Sequence, residues 1–332
     1  MICNVTNKLT KACNAVLPAL LLALVFMVYT GCERLTGPRK YVIGYVDPNP
    51  EEKEGAPGFL RNMPKYGYIE GENATYIKTQ TKDKQAIEKA IKDMVAKRVD
   101  LILIMSTPPV KMAKEITRGT NIPVVFIMYD AVGAGIVKSL ADHDSNITGV
   151  QLQGSTPKAL EWLSAMSPRA KHLFAPVAFD TGAAKQSLVK LEESCAKAGF
   201  KLTIAEVKTV EDLRAAMSSM PKDIDAVFLL HSWLVGSHVG EVIAEANKRH
   251  LPVISAGHVD YQHGLIMSYG PTDDSVGSQA ARLAHKILSG TSPSYLPVEN
   301  AEVFLGINLR AAHDAGIEIP EAVLRRADQI IR

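Results

Sequence analysis

From Tyr41 onward, short apolar runs alternate with stretches in which apolar residues recur every three or four positions. The runs "YVIGYV" (41 to 46), "ATYIKT" (74 to 79), "DLILIM" (100 to 105) and "PVVFIM" (123 to 128) have the length and β-branched content of buried strands. Between them, Ile87, Ile91, Met94 and Val95 mark one face of a helix over residues 84–97. Strand, helix, strand in this order predicts a parallel sheet covered on both faces, with right-handed crossovers.

The same alternation then runs a second time. Strands are predicted at "HLFAPVAF" (172 to 179), "KLTIAEV" (201 to 207), "DAVFLL" (225 to 230) and "PVISA" (252 to 256), with helices over 183–198, 211–220 and 235–248. "VDLILIMS…NIPVVFI" from Val99 is answered by "IDAVFLLHS…HLPVISA" from Ile224. In each, an aspartate opens a buried strand, polar residues close it, and an Ile-Pro or Leu-Pro opens the next. A repeat of this length is a whole lobe, too long for a solenoid unit. The predicted fold is α/β: two doubly wound parallel-sheet lobes joined by a hinge, with a ligand cleft between them.

The first segment differs in kind. Lys8 and Lys11 precede an apolar run over 15–29 that closes on Tyr29-Thr30-Gly31-Cys32, the layout of a secretory signal. The run is short for a membrane span and contains Pro18. A small residue before a cysteine resembles the bacterial lipobox, with Tyr29 where leucine is usual. Residues 1–31 are therefore expected to be a signal peptide and 32–40 a tether lipidated at Cys32; the alternative is an uncleaved anchor helix. Either arrangement leaves the folded part outside the cytoplasmic membrane.

Charge and cysteine content remove several function classes. The 332 residues carry 37 Lys and Arg against 35 Asp and Glu, and loss of the signal with its two lysines leaves 35 of each. That balance gives no electrostatic footprint for nucleic acid or anionic lipid. Of the four cysteines, only Cys195 lies in the folded part, within the helical pattern "KLEESCAKAGF", so neither a disulfide nor a thiolate metal cage is expected.

In open parallel sheets, ligands sit beyond the carboxyl ends of the strands, where helix N-termini aim free N–H groups. Those ends supply Asp47, Ser106, Thr107, Tyr129 and Asp130 in the first lobe, and Asp180, Ser232, Trp233 and His258 in the second, with Tyr269 counted among them. "STPP" reads as a helix start whose hydroxyls either cap the helix or hold a ligand carboxylate. Pro108 and Pro109 lack N–H groups, so few backbone donors remain there. Asp130 either binds a ligand ammonium or caps a following helix. Trp233 either stacks on an apolar ligand or fills core or interface. His231, His238, His258 and His263 do not share a helical face and have no thiolate beside them, so no metal is expected.

The glycine pair in "YDAVGAGIVKSLA" imitates a nucleotide loop, but Lys138 stands where a dinucleotide fingerprint needs its third glycine, and no Gly-Lys-Ser/Thr follows. No nucleophile elbow and no His-Glu-x-x-His motif is present. Neither a cofactor nor enzymatic activity is expected.

"DAVGAGIVKSLA…NITGV" resembles the signature of the extracytoplasmic substrate-binding proteins of ABC transporters for tryptophan or tyrosine uptake. "YGYIEGENATY", "DLILIMSTPPVKMAKEIT", "HGLIMSYG…VGSQAARLAHKILSGTSP" and "INLRAAHDAGIEIPEAVLRRAD" extend the likeness, in family order, over nearly all of 41–332. The resemblance implies the type I periplasmic binding fold, in which the chain crosses between lobes three times. It places lobe one at 41–150 plus 268–298 and lobe two at 151–267 plus 299–332, with the glycines serving the approach to the first crossing near "NITGV". It also implies capture of a small polar solute, including an amino acid, by a monomer that delivers it to an ABC permease and its ATPase. Ser106 and Thr107 would donate to a carboxylate, Asp130 would accept from an amine, and Trp233 would cover the apolar part. Departures from the family pattern are Ser232 for aspartate, "FDTG" for an Asn-Pro turn, Ala131 for proline, and "PTDD" for an aromatic after "YG". Loss of an acidic partner would weaken an ammonium site by about 2 kcal/mol. A ligand sensor for a chemoreceptor or kinase shares the fold, and an extracytoplasmic α/β enzyme is the remoter alternative. A cytoplasmic sugar-responsive repressor would lack the export signal and carry a helix-turn-helix.

Overall fold

The computed structural model describes residues 39–48, 57–141, 146–152, 155–180, 184–256 and 264–332; at Pro57 and Trp233 it describes the backbone. The expectations for the signal peptide, Cys32 and the tether concern residues outside these, apart from the exposed Arg39 and Lys40. No helix among the described residues is long and apolar enough to cross a membrane.

The first alternation of the chain builds β1 (Tyr41–Asp47), α1 (Pro57–Asn62), β2 (Ala74–Gln80), α2 (Lys84–Ala96), β3 (Leu101–Met105), α3 (Thr107–Ile116), β4 (Val124–Tyr129) and β5 (Ile147–Leu152). The second builds α4 (Thr156–Met166), β6 (His172–Val177), α5 (Ala184–Ala198), β7 (Lys201–Glu206), α6 (Val210–Ser218), β8 (Ala226–Leu229), α7 (Trp233–Ser237), α8 (Val239–Asn247), β9 (Val253–Ser255) and β10 (Met267–Gly270). The chain then returns to supply α9 (Asp273–Leu288) and β11 (Glu299–Asn300), and closes with β12 (Phe304–Asn308), α10 (Leu309–Asp314), α11 (Glu321–Leu324) and β13 (Gln329–Ile331). The helix predicted over 235–248 is broken at His238 into α7 and α8.

Two sheets result, ordered β2-β1-β3-β4-β5-β11 and β7-β6-β8-β9-β10-β12-β13. The first five strands of each follow the same order, so the repeat heard in the sequence is a repeat of topology, and each lobe is doubly wound. β12 departs from the parallel expectation by running antiparallel to β10. The aspartates that open β3 and β8 do the same work in both lobes. Asp100 Oδ2 accepts the N–H of Val42 at the start of β1 (2.8 Å), and Asp225 Oδ2 accepts those of Lys171 and His172 at the start of β6 (2.7 and 2.9 Å).

Strands buried on both faces need apolar residues at successive positions, and β3 and β4 supply them. Leu101, Leu103 and Met105 face α1 and α9, while Ile102 and Ile104 face α2 and α3. In the second lobe, Leu173, Ala175 and Phe228 pack with α4 and α5, and Phe174, Val227 and Leu229 with α6 and α8. Each large side chain so buried contributes about 1.5–3 kcal/mol. Cys195 lies in this core, and burial pushes its thiol up to about 11.

Three crossings join the lobes: β5 to α4, β10 to α9, and β11 to β12. The strand at 267–270 pairs in the second sheet and 299–300 in the first, so the second and third crossings fall a few residues beyond 268 and 298. After the second crossing, α9 docks on α1 so closely that a Cβ at Gly277 would collide with the backbone of Gly58 and Phe59. That contact fixes α9 to the first lobe.

Candidate functional site

In both sheets the strand order reverses beside the first strand, between β1 and β3 in one lobe and between β6 and β8 in the other, the position at which open α/β sheets bind ligands beyond their carboxyl ends. Asp47 closes β1 and is buried. Ser106 links β3 to α3 with φ 68° and ψ 148°, at the edge of a region that only glycine normally occupies. It costs about 1–3 kcal/mol to hold a residue there, and such strain gathers at functional sites. Ser106 does not act as the side-chain cap that "STPP" allowed. Its N–H donates to Ile127 O (3.0 Å) and its carbonyl accepts from Val110 N (3.1 Å), which pins the strained turn between β4 and α3. With Pro108 and Pro109 unable to donate, the N–H of Thr107 is the first free donor of the helix. Among the described residues, that N–H and the hydroxyls of Ser106 and Thr107 make no hydrogen bond. Both side chains are half-buried.

At the end of β4, Tyr129 is half-buried and Asp130 takes a left-handed conformation, φ 46°. No helix follows for Asp130 to cap. Residues 131–135 form a turn, and Asp130 Oδ1 accepts the N–H of Gly133 across it (2.9 Å). A Cβ on Gly133 would overlap the Asp130 carboxylate, and Gly135 has φ 73°. The glycine pair thus shapes the Asp130 turn, on the way from β4 to β5 and the first crossing. Lys114 of α3 ties the far side of the loop by donating to the carbonyls of Gly135 and Ile136 (3.0 and 2.7 Å).

On the second lobe, Asp180 and Ser232 meet. Ser232 Oγ and Leu234 N both donate to Asp180 Oδ2 (3.2 and 2.6 Å), and Ser232 Oγ accepts from Val235 N (3.2 Å). Together they fill the N-terminus of α7 with the protein's own carboxylate. Phe179, beside Asp180 and two residues past β6, is 50% exposed. Trp233 is the first residue of α7, Tyr269 packs half-buried against the second lobe's core, and His258 lies outside the described residues.

The two walls touch. The ring of Tyr129 lies 6.2 Å from that of His231 at an interplanar angle of 17°, and Lys190 Nζ of α5 stands 5.9 Å from the Tyr129 ring centre. Sequence reading missed Lys190 and Phe179. The strand-end rule that selected Asp180 reaches Phe179 one residue earlier, whereas nothing in a helical pattern singles out Lys190.

A model of the family described as ABC transporter substrate binding protein matches residues 48–331. The chain is 26% identical over 254 residues to a tyrosine-binding protein of Clostridioides difficile, covering 75% of this chain and 72% of that one. Among solved structures, a conserved domain protein from Vibrio cholerae matches with a TM-score of 0.75 at 27% identity, over 89% of this chain and all (100%) of that one. The ABC domain from Streptococcus pneumoniae in complex with L-Trp matches with a TM-score of 0.76 at 22% identity, over 88% and 100% of the two chains.

Proposed function

From the premise that this chain belongs to the ABC transporter substrate-binding protein family, we propose that it is the extracytoplasmic, lipid-anchored component of an importer. It captures a free amino acid between its lobes and presents it to a permease and ATPase. The relative named for tyrosine and the L-Trp complex favour an aromatic amino acid as the first to test.

The observation that supports this reading is the strained turn at Ser106 and Thr107, whose hydroxyls and Thr107 N–H make no hydrogen bond among the described residues. Two hydroxyls and one N–H lie at the positive end of a ten-residue helix, a donor set that suits a carboxylate. Asp130 retains Oδ2 without a hydrogen bond among the described residues, ready to accept from the amine. Asp180 offers its second oxygen from the opposite wall. In this reading Tyr129 at the end of β4, Phe179 just past β6 and His231 just past β8 border the apolar side chain of the ligand. Contacts from both walls make the ligand itself the bond that holds the lobes shut.

The test is thermal unfolding and calorimetry of residues 33–332 against the twenty amino acids, with sugars and nucleosides as controls. A true ligand at a hundred times its Kd raises stability by about 2.7 kcal/mol. Stabilisation by a sugar or nucleoside and by no amino acid, or recovery of a chemically altered ligand, would refute the proposal.

A further inference from the structure

We propose that Gln151 is a positioning residue that ties the ligand-facing loop at 129–131 to the hinge, so that the loop and the third crossing respond as one piece. The inference rests on the cleft reading above for what the loop does, and on its own geometry for the connection. Gln151 is the last residue but one of β5, buried, immediately before the first crossing. Its side-chain Oε1 accepts the N–H of Ala131 (2.9 Å), and its Nε2 donates to Asn300 Oδ1 (3.0 Å). Its backbone carbonyl accepts from Ala301 N (2.9 Å). One planar amide therefore holds the residue that follows Asp130 on one prong and the start of the third crossing on the other.

A second buried amide grips the same crossing from the opposite side. Gln279 of α9 donates from Nε2 to Asn300 O (3.1 Å) and Glu299 Oε2 (3.3 Å), and its Oε1 accepts from Glu302 N (3.0 Å). Residues 300–302 are thus clasped between two glutamines. Val303 is left as the link before β12 begins at Phe304.

An apolar residue at position 151 would fill the β5 site without desolvating an amide, whose burial is tolerable only when both ends are bonded. What the amide adds is direction. It fixes the peptide between Asp130 and Ala131, and with it the carboxylate of Asp130 and the ring of Tyr129, relative to the hinge. Ligand contact at Asp130 is then felt at Asn300, and hinge position sets the readiness of Asp130. A coupling of this kind is reciprocal.

The experiment compares wild type, Asn300→Ala and Gln151→Leu, measuring amide hydrogen exchange without ligand and affinity for L-tyrosine. Asn300 is exposed, accepts from Gln151 and makes no hydrogen bond with Ala131. In Asn300→Ala, water at the exposed position 300 takes over part of the lost bond, so the melting temperature should fall only slightly, while exchange at Ala131 should rise by about tenfold and the L-tyrosine Kd by about fivefold, the low end of measured site-to-site coupling. Gln151→Leu should reproduce both changes more strongly; if it fails to fold, Asn300→Ala decides alone. Exchange at Ala131 that is unaltered in Asn300→Ala overturns the inference. If wild type binds neither L-tyrosine nor any other amino acid, the proposed function falls, and the exchange result still decides the role of Gln151.

Discussion

The ring of Tyr129, at the end of a first-lobe strand, lies almost parallel to that of His231, just past a second-lobe strand, with centroids 6.2 Å apart. These residues, one from each lobe, are brought together by the fold, and in the proposed closed form their contact helps to hold the walls together. An aromatic pair is worth about 0.5–1.5 kcal/mol beyond its buried area. His231→Ala is therefore expected to raise the ligand Kd about fivefold, since 1.4 kcal/mol is tenfold, while the melting temperature of the empty protein stays put. Tyr129→Ala should cost more, because Lys190 loses its aromatic partner too. Calorimetry on both variants checks this; an unaltered Kd would mean the pair does not persist in the bound form.

Ser106 offers a case in which stability and affinity should move in opposite directions. Its backbone, at φ 68° and ψ 148°, suits glycine, so Ser106→Gly relieves strain of about 1–3 kcal/mol. The greater freedom of glycine in the unfolded chain takes back part of that gain. The variant is expected to melt higher and bind more weakly, having lost a ligand donor. Ser106→Ala keeps the strain and loses the same hydroxyl, so it should bind as weakly with no gain in melting temperature. Equal affinity of both variants and wild type would remove Ser106 from the site.

These residues were reachable from sequence because they end strands, and strands announce themselves by apolar runs of a fixed length. Asp100 and Asp225 were legible for the same reason: each opens such a run and closes the N–H groups of the neighbouring strand. The two-residue β11 and the antiparallel return of β12 were not, since a pair of residues has no periodicity and a reversal leaves no mark in hydrophobic order. Lys190 and Gln151 stayed hidden for a different cause. Their partners, Tyr129 for one and Asn300 for the other, are set by how lobes and crossings meet, 61 and 149 residues away along the chain.

Acid should destabilise the second lobe through a cluster remote from the cleft. Buried His172 bonds Asp223 Oδ2 through Nδ1 (3.0 Å) and Thr203 Oγ1 through Nε2 (2.7 Å), and Lys201 Nζ also reaches Asp223 (3.3 Å). The hydrogen bond from His172, then Lys201, holds the Asp223 carboxyl below its ordinary range. Asp212 is lowered likewise, by the N–H groups of Lys208 and Thr209 in the α6 capping box. A carboxyl depressed in the folded state adds stability that is complete above its unfolded pKa of about 3.9 and drains away as pH falls through the lower, folded value. The melting temperature should therefore drop through the carboxylate range, with a shallower drop in Asp223→Asn and in Asp212→Asn. An acid limb of unchanged slope in both variants would contradict this account.

For the proposed amino-acid ligand, burial decides which carboxylate should meet the amine. Asp130 is half-buried with one oxygen engaged by Gly133, whereas Asp180 is exposed with one oxygen engaged by Ser232 and Leu234. A charge in water is screened, so the attraction of Asp180 for an ammonium is the weaker of the two. A charge-assisted hydrogen bond at Asp130 is worth about 1.5–3 kcal/mol. Comparing L-tyrosine with its deaminated analogue isolates that bond, because the two ligands differ at the amine alone. Wild type should prefer the amine by at least about tenfold, the lower bound of that energy. Asn at position 130 can still accept from Gly133, so Asp130→Asn keeps the turn and should erase the preference, while Asp180→Asn should leave most of it. The reverse ranking would move the amine to the second lobe and leave Asp130 with the turn as its whole task.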